Sequence, residues 1–228
     1  MTMMRCCHDF PSSLLGVGMK DRSETIAALF VLKDGPYSGL ENIEVWDEKR
    51  DARKYTGPWP VIAHPPCERW GRYWSGGPSA KVRRKLGDDN GCFKSALASV
   101  RKFGGILEHP EASHAWKKFG LIAPPRWGGW VAAGDFIGWT CCVEQGHYGH
   151  RARKATWLYC VGCELPSLKW GPSPKGLRID LGFHSAEERR RLVKTGVCQR
   201  LSKKQRMETP ALFRDLLISI VRYGDDQD

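Results

Sequence analysis

The apolar positions of this chain fall into short runs separated by turn residues, and the runs have two different periods. "TIAALFVL" (25–32) is continuously apolar, has the length of a strand, and is ended by Lys33-Asp34-Gly35-Pro36. "NIEVWD" (42–47) alternates as a half-buried strand does, and "PVIAH" (60–64) is a short β-branched run that predicts a buried strand. "GCFKSALASVRKF" then places Phe93, Ala96, Leu97, Val100 and Phe103 at helical spacing, with Gly104-Gly105 to end it. "GILEH" (105–109) reads as a strand closed by Pro110, and "WTCCVEQ" and "KATWLYCVG" as two more. Thr209-Pro210 opens "ALFRDLLISIVR", where Phe213, Leu216, Leu217, Ile220 and Val221 form one apolar stripe. Strands alternating with helices predict an α/β sheet, at least partly parallel, over 25–223, behind a loosely ordered leader at 1–24. The Pro/Gly/Trp-rich stretch 123–139 predicts an ordered loop or a small subdomain.

Composition narrows the partners. The formal charge is +11 in 228 residues, with basic clusters at 81–85, 151–154, 189–194 and 200–206, and such an excess favours a polyanion, nucleic acid first. "EERRRLVK", with Ser185 ahead of it and Glu188 three residues on, predicts a short basic helix with a capping box. No apolar run approaches the ~18 residues of a membrane span, and the N-terminus lacks the order of a signal peptide, so an intracellular protein is expected. Nine cysteines without a repeating frame then read as reduced thiols, mostly buried. Cys160 and Cys163 form one CxxC, but a zinc ribbon needs a second, so no metal is expected. His64, His109, His114, His147 and His150 read more simply as separately satisfied rings than as ligands.

In an open α/β sheet, ligands gather beyond the carboxyl ends of the strands. Asp47, the His64–Cys67 turn and Glu108-His109-Pro110 all fall at such ends. In "VIAHPPCERWGRYW", Pro65 and Pro66 fix the backbone ahead of Cys67, which is then either a structural loop thiol or a nucleophile aimed by a rigid turn. A thiolate can add to C6 of a pyrimidine and make C5 nucleophilic. It needs a neighbouring positive charge to ionise and a carboxyl group to manage the charge at N3, and Glu108 is the candidate carboxyl. Arg151, Arg153 and Lys154 either contact phosphate and base or form the charged face of an edge strand. Trp70, Tyr73 and Trp74 either stack on a base or pack under the loop.

"AHPPCERWG", then "GGILEHPEASHAW", then "YGHRARKATWLY" resembles the ordered signature of DNA cytosine-5 methyltransferases, closest to compact phage-encoded members with a degenerate cofactor loop. The likeness runs over roughly 26–223. It implies a reduced Rossmann-like methyltransferase sheet with helices on both faces, and a transferase acting on C5 of a pyrimidine in DNA. By the same resemblance Cys67 is the nucleophile, Glu108 the base-contacting carboxylate, and Arg151 and Arg153 the supporting pair. Pro66, Trp70, His109 and Lys154 are substrate-side candidates, and 111–140 is the candidate recognition loop. S-adenosylmethionine is the implied donor, with Asp34, Gly35 and Asp47 on its side, in the cytoplasm of a phage-infected or prophage-carrying bacterial cell. The chain departs from the family in four places, one of them the lack of a separate target-recognition domain of ordinary size. Its first loop keeps only Gly35 and Gly39, Glu108 is followed by His-Pro, and the glutamine ahead of the arginine pair is missing at its usual spacing. A nucleic-acid-binding protein that has lost the chemistry is the alternative.

Overall fold

The computed structural model describes residues 25–71, 73–76, 81–82, 84–174, 187, 190 and 201–222. The leader at 1–24 lies outside them, and of the basic helix read at 185–194 only Glu187 and Arg190 are described, both helical and exposed. The elements are strands β1 (Ile26–Leu29), β2 (Ile43–Trp46), β3 (Val61–Ala63), β4 (Gly105–Pro110), β5 (Val131–Ala132), β6 (Trp139–Glu144) and β7 (Ala155–Val161). The helices are α1 (Cys92–Phe103), α2 (His114–Lys118), α3 (Lys203–Met207) and α4 (Ala211–Arg222).

The strands form one seven-stranded sheet in the order β2-β1-β3-β4-β7-β6-β5. Its first four strands are parallel, whereas β7 runs antiparallel to both β4 and β6, and β5 antiparallel to β6. This is the α/β class expected, with an antiparallel half. In the parallel half, Ile26–Leu29 and Val61–Ala63 are fully buried, because helices cover both faces of these strands. Alternation splits the core in two. Ala27, Leu29, Val61, Ala63 and Leu107 pack under Phe93, Ala96, Leu97 and Val100 of α1. Ile26, Ala28, Ile62, Ile106 and Leu158 pack under Phe213, Leu217, Ile220 and Val221 of α4. Asp89 holds the start of α1 by accepting from the backbone of Gly91 and Phe93. Gly105 opens β4 with φ of +116°, and a Cβ there would lie 2.0 Å from the Val61 carbonyl oxygen, so only glycine fits.

The first strand is shorter than its apolar run. Phe30 takes a left-handed φ of 59°, and the backbone N–H groups of Phe30 and Val31 both turn onto the Trp46 carbonyl. Leu32 is left 76 % exposed. The connection from β1 to β2 contains turns and no helix. The chain leaves β1 for β2 on one side and returns to β3 on the other, so the strand order reverses between β1 and β3. In open α/β sheets that reversal is where ligands enter. Among the described residues no helix is long and apolar enough to cross a membrane.

Candidate functional site

At the carboxyl ends of β3 and β4, beside the reversal, polar side chains converge from four parts of the chain. His64 directly follows β3, and its backbone N–H continues the ladder to the Leu29 carbonyl. It therefore shares a face with Ile62, as Glu108 does with Ile106, and both side chains project on the α4 side. His64 Nδ1 lies 3.0 Å from Glu108 Oε2, and Tyr37 Oη lies 2.8 Å from His64 Nε2. From the antiparallel half, Gln145 Nε2 donates to Glu108 Oε1 at 3.2 Å and to Thr156 Oγ1 at 3.0 Å. Both carboxylate oxygens are thus held by protein donors.

Burial alone would raise the Glu108 pKa. The His64 hydrogen bond and the electrostatic pull of His64, Lys154 and His109 outweigh it and hold the group at about 2. Glu108 is therefore an ionised acceptor in the resting protein. Cys67 is half-buried on its loop, and burial followed by the charge of Glu108 pushes its thiol up to about 11. Lys154 is the main influence in the other direction. Desolvation in turn lowers the Lys154 pKa, and Glu108 and Cys67 oppose that. Lys154 sits at a left-handed φ of 40° just before β7 and donates to the Glu208 carbonyl at 2.9 Å. Cys67, Glu108 and Lys154 therefore form one electrostatic unit in which the resting proton sits on sulfur.

The other sequence candidates separate around this unit. Pro66 is exposed on the cysteine loop. His109 points to the opposite face, under α1, where it is fully buried, 2.7 Å from Ser113 Oγ and against Phe93 and Trp116. Desolvation lowers its pKa to about 4, so it is neutral at neutral pH. The Pro66 carbonyl is close enough to act on the ring, yet Nε2 makes no hydrogen bond of ordinary geometry. His109 thus lies beneath the loop, buried on the face opposite to Glu108. Trp70 is core as well: its ring packs on Phe93 and Phe119, and its N–H is committed to Asp89 at 2.8 Å. Tyr73 is 54 % exposed beside it. Arg151 and Arg153 are exposed in the turn before β7, with Ala152 buried between them. Every cysteine among the described residues is a free thiol, and Cys141, Cys142 and Cys160 are buried.

On the cofactor side, an open cleft of about 410 Å³ is lined by Val31, Leu32 and Lys33 after β1 and by Asp47, Glu48 and Lys49 after β2. Asp47 is in its wall, with Oδ1 accepting from the Arg50 backbone at 2.8 Å and Oδ2 left to accept from a ligand. That fits the hydroxyls of a nucleoside. Asp34 is exposed, and neither it nor Gly35 lines the cleft. Gly35 serves its own turn, since a Cβ there would press on Leu32 at 3.0 Å. Gly39 is likewise absent from the lining of the cleft.

Sequence reasoning missed Tyr37, His64 as a partner of Glu108, and Gln145. His64 had a signal in its place at a strand end alongside Glu108, and Gln145 in being a glutamine shortly ahead of the arginine pair at an unusual spacing. The position of Gln145 at the end of β6 lets it reach across β7 to Glu108. Compared with known proteins, the chain matches no family model and no curated protein.

Proposed function

We propose that this protein is a DNA-modifying transferase acting at C5 of a pyrimidine, cytosine first, through a covalent adduct on Cys67. The observation that carries the reading is the Glu108 carboxylate at the end of β4, fixed by His64 and Gln145 beside the loop that carries Cys67 from the end of β3, where its charge acts on the thiol. The chemistry balances on one proton. As a cytosine edge enters, Glu108 relays the Cys67 proton to N3 while N3 becomes basic, and Lys154 stabilises the negative charge developing on sulfur. Sulfur then forms its bond to C6. The C5–C6 π pair shifts to C4–C5, and the C4–N3 π pair goes to N3, which takes the proton from Glu108. C5 is now an enamine carbon able to attack an electrophilic one-carbon group. A solvent base then takes the C5 proton, and that C–H pair forms the C5–C6 double bond as the S–C6 pair leaves on sulfur. The N3 proton returns through Glu108 to sulfur, which restores the ring and the thiol. A raised resting pKa suits this order, because the thiol stays unreactive until the substrate edge accepts its proton.

S-adenosylmethionine would supply a methyl group as that electrophile. The chain's own contribution on that side is Asp47, whose free oxygen can accept from ribose hydroxyls in the open cleft. DNA as substrate is supported by the charge of +11 and by exposed Arg151 and Arg153 next to Lys154. The segment read as a recognition loop supports it too. Arg126 lies over the Trp127 ring and reaches Glu111 at 3.5 Å, at the same end of the sheet, and Trp127 is 55 % exposed.

The test is nucleoside mass spectrometry of DNA from cells expressing the wild type and Cys67→Ala. A modified pyrimidine that disappears in the variant is expected, and its mass identifies the donated group. Unmodified DNA from folded protein would favour a second reading, a non-catalytic nucleic-acid-binding protein. The protonated Cys67 thiol is the observation on that side.

A further inference from the structure

Glu108 is held by more than the proposed chemistry requires. Tyr37 is 1 % exposed, and burial raises its pKa, so its hydroxyl keeps its proton. A buried O–H needs an acceptor, and among the described residues His64 Nε2 at 2.8 Å is the one in reach. Nε2 must then be the lone-pair nitrogen, and the ring proton is on Nδ1, facing Glu108 Oε2 at 3.0 Å. The loop that carries Tyr37 is itself anchored, because Arg214 of α4 donates to the Pro36 carbonyl at 2.8 Å. Gln145 fixes the other oxygen of Glu108 from the far side.

We propose that His64 is the positioning residue of Glu108, locked by Tyr37 in the tautomer that donates from Nδ1, so that the carboxylate meets the pyrimidine edge as an oriented acceptor. The proposal rests on the reading of Cys67 and Glu108 given above. The charged and titratable groups around the pair are Cys67 on its loop, His109 of β4, Lys154 before β7, and Arg214 and Asp215 of α4, which act on Tyr37. The chemical consequence is directional. A carboxylate clamped by donors on both oxygens is held ionised, so it brings no proton of its own to the pyrimidine edge. Cytosine, whose N3 is an acceptor, therefore becomes complementary to the site only when the thiol has given up its proton.

The experiment has two arms on the full-length chain. In the first, nitrogen-15 histidine spectra at neutral pH are expected to show His64 with Nδ1 protonated and Nε2 bare. Tyr37→Phe should give a mixture of tautomers, and Glu108→Gln should move the proton toward Nε2. In the second, exchange of the cytosine C5 hydrogen with solvent deuterium is followed against pH for wild type, His64→Asn and His64→Leu. The Asn side-chain nitrogen stands near the place of Nδ1 and donates without titrating. His64→Leu should slow exchange by about 10- to 100-fold, the equivalent of a charge-assisted hydrogen bond. Its acid limb should move to higher pH, because Glu108 loses the donor that favours its ionised form. His64→Asn should retain most of the rate and keep the limb low. A protonated Nε2 in the resting protein overturns the proposal, as do Asn and Leu variants equally slowed with an unmoved limb. Absence of exchange in the wild type overturns the Cys67 chemistry, and the spectra then decide the clamp separately.

Discussion

Glu108→Gln changes the charge beside the Cys67 thiol while keeping the shape of the side chain, and the reactivity of the thiol reports the change. The resting pKa of Cys67 is about 11 against an ordinary thiol value of 9.0. At a given neutral pH that difference leaves about 100-fold less thiolate than an unperturbed cysteine carries. Alkylation by iodoacetamide, followed by peptide-resolved mass spectrometry, reads the thiolate directly. In the wild type the rate at Cys67 should rise about tenfold per pH unit with no plateau below about pH 10. Burial is the largest cause of the shift and stays in place in Glu108→Gln, whereas the carboxylate charge, the next in size, is removed. The variant should therefore alkylate faster, on the order of tenfold, which is one pKa unit. Lys154→Met removes the main opposing influence and should slow the reaction by a similar factor. The pH profile separates ionisation from access, since poor access lowers every rate without moving a plateau. A wild-type plateau below about pH 9, or a Glu108→Gln variant no faster than wild type, would refute the electrostatic unit.

His109 is neutral and buried with a pKa of about 4, whereas in the unfolded chain it binds a proton near 6.5. The unfolded state therefore binds more protons between these values, and stability should fall by about 3 kcal/mol as pH drops through that window. Urea melts of His109→Gln should lack that part of the slope, and an identical slope would contradict the assignment. Phe213→Ala removes a fully buried ring from the helix that covers the α4 face, and should destabilise by about 3–5 kcal/mol in the same melts. If Arg151 and Arg153 contact phosphate, each alanine variant should reduce the slope of log affinity against log salt by about 0.9, measured by DNA-binding titrations. Slopes equal to wild type would assign both to the solvated face of the strand.

The parallel half of the sheet was legible because its strands are buried on both faces and appear as bare apolar runs, as in Ile26–Leu29 and Val61–Ala63. The ends of those runs were not legible. Phe30, Val31 and Leu32 look like strand, but the left-handed turn at Phe30 sends Val31 and Leu32 out to line the cleft. β5 has two residues and α2 five, too few for a period to register. The α3 capping box did have a signal, Ser202 with Gln205 three residues on, in a segment read only as basic. At the site, residue order along the chain was enough to nominate Cys67 and Glu108. Their electrostatic state was not readable there, because it depends on His64 and Gln145, which reach Glu108 across the sheet. Trp70 and His109 were drawn in by adjacency to the motifs. Alternation puts His109 on the face opposite to Glu108, and the Trp70 indole is tied to Asp89 in the core.

The central claim is that the Cys67 sulfur bonds to C6 of a pyrimidine, and that bond can be detected without any group donor. Addition at C6 makes C5 basic, so in heavy water C5 takes a deuteron and loses its own hydrogen when the sulfur leaves. The wild-type protein is incubated with single- and double-stranded DNA in heavy water, and the nucleosides are weighed after digestion. Deuterated deoxycytidine with the wild type and none with Cys67→Ala is the predicted result. Bound DNA whose cytosines remain unlabelled, or equal labelling by Cys67→Ala, would contradict it.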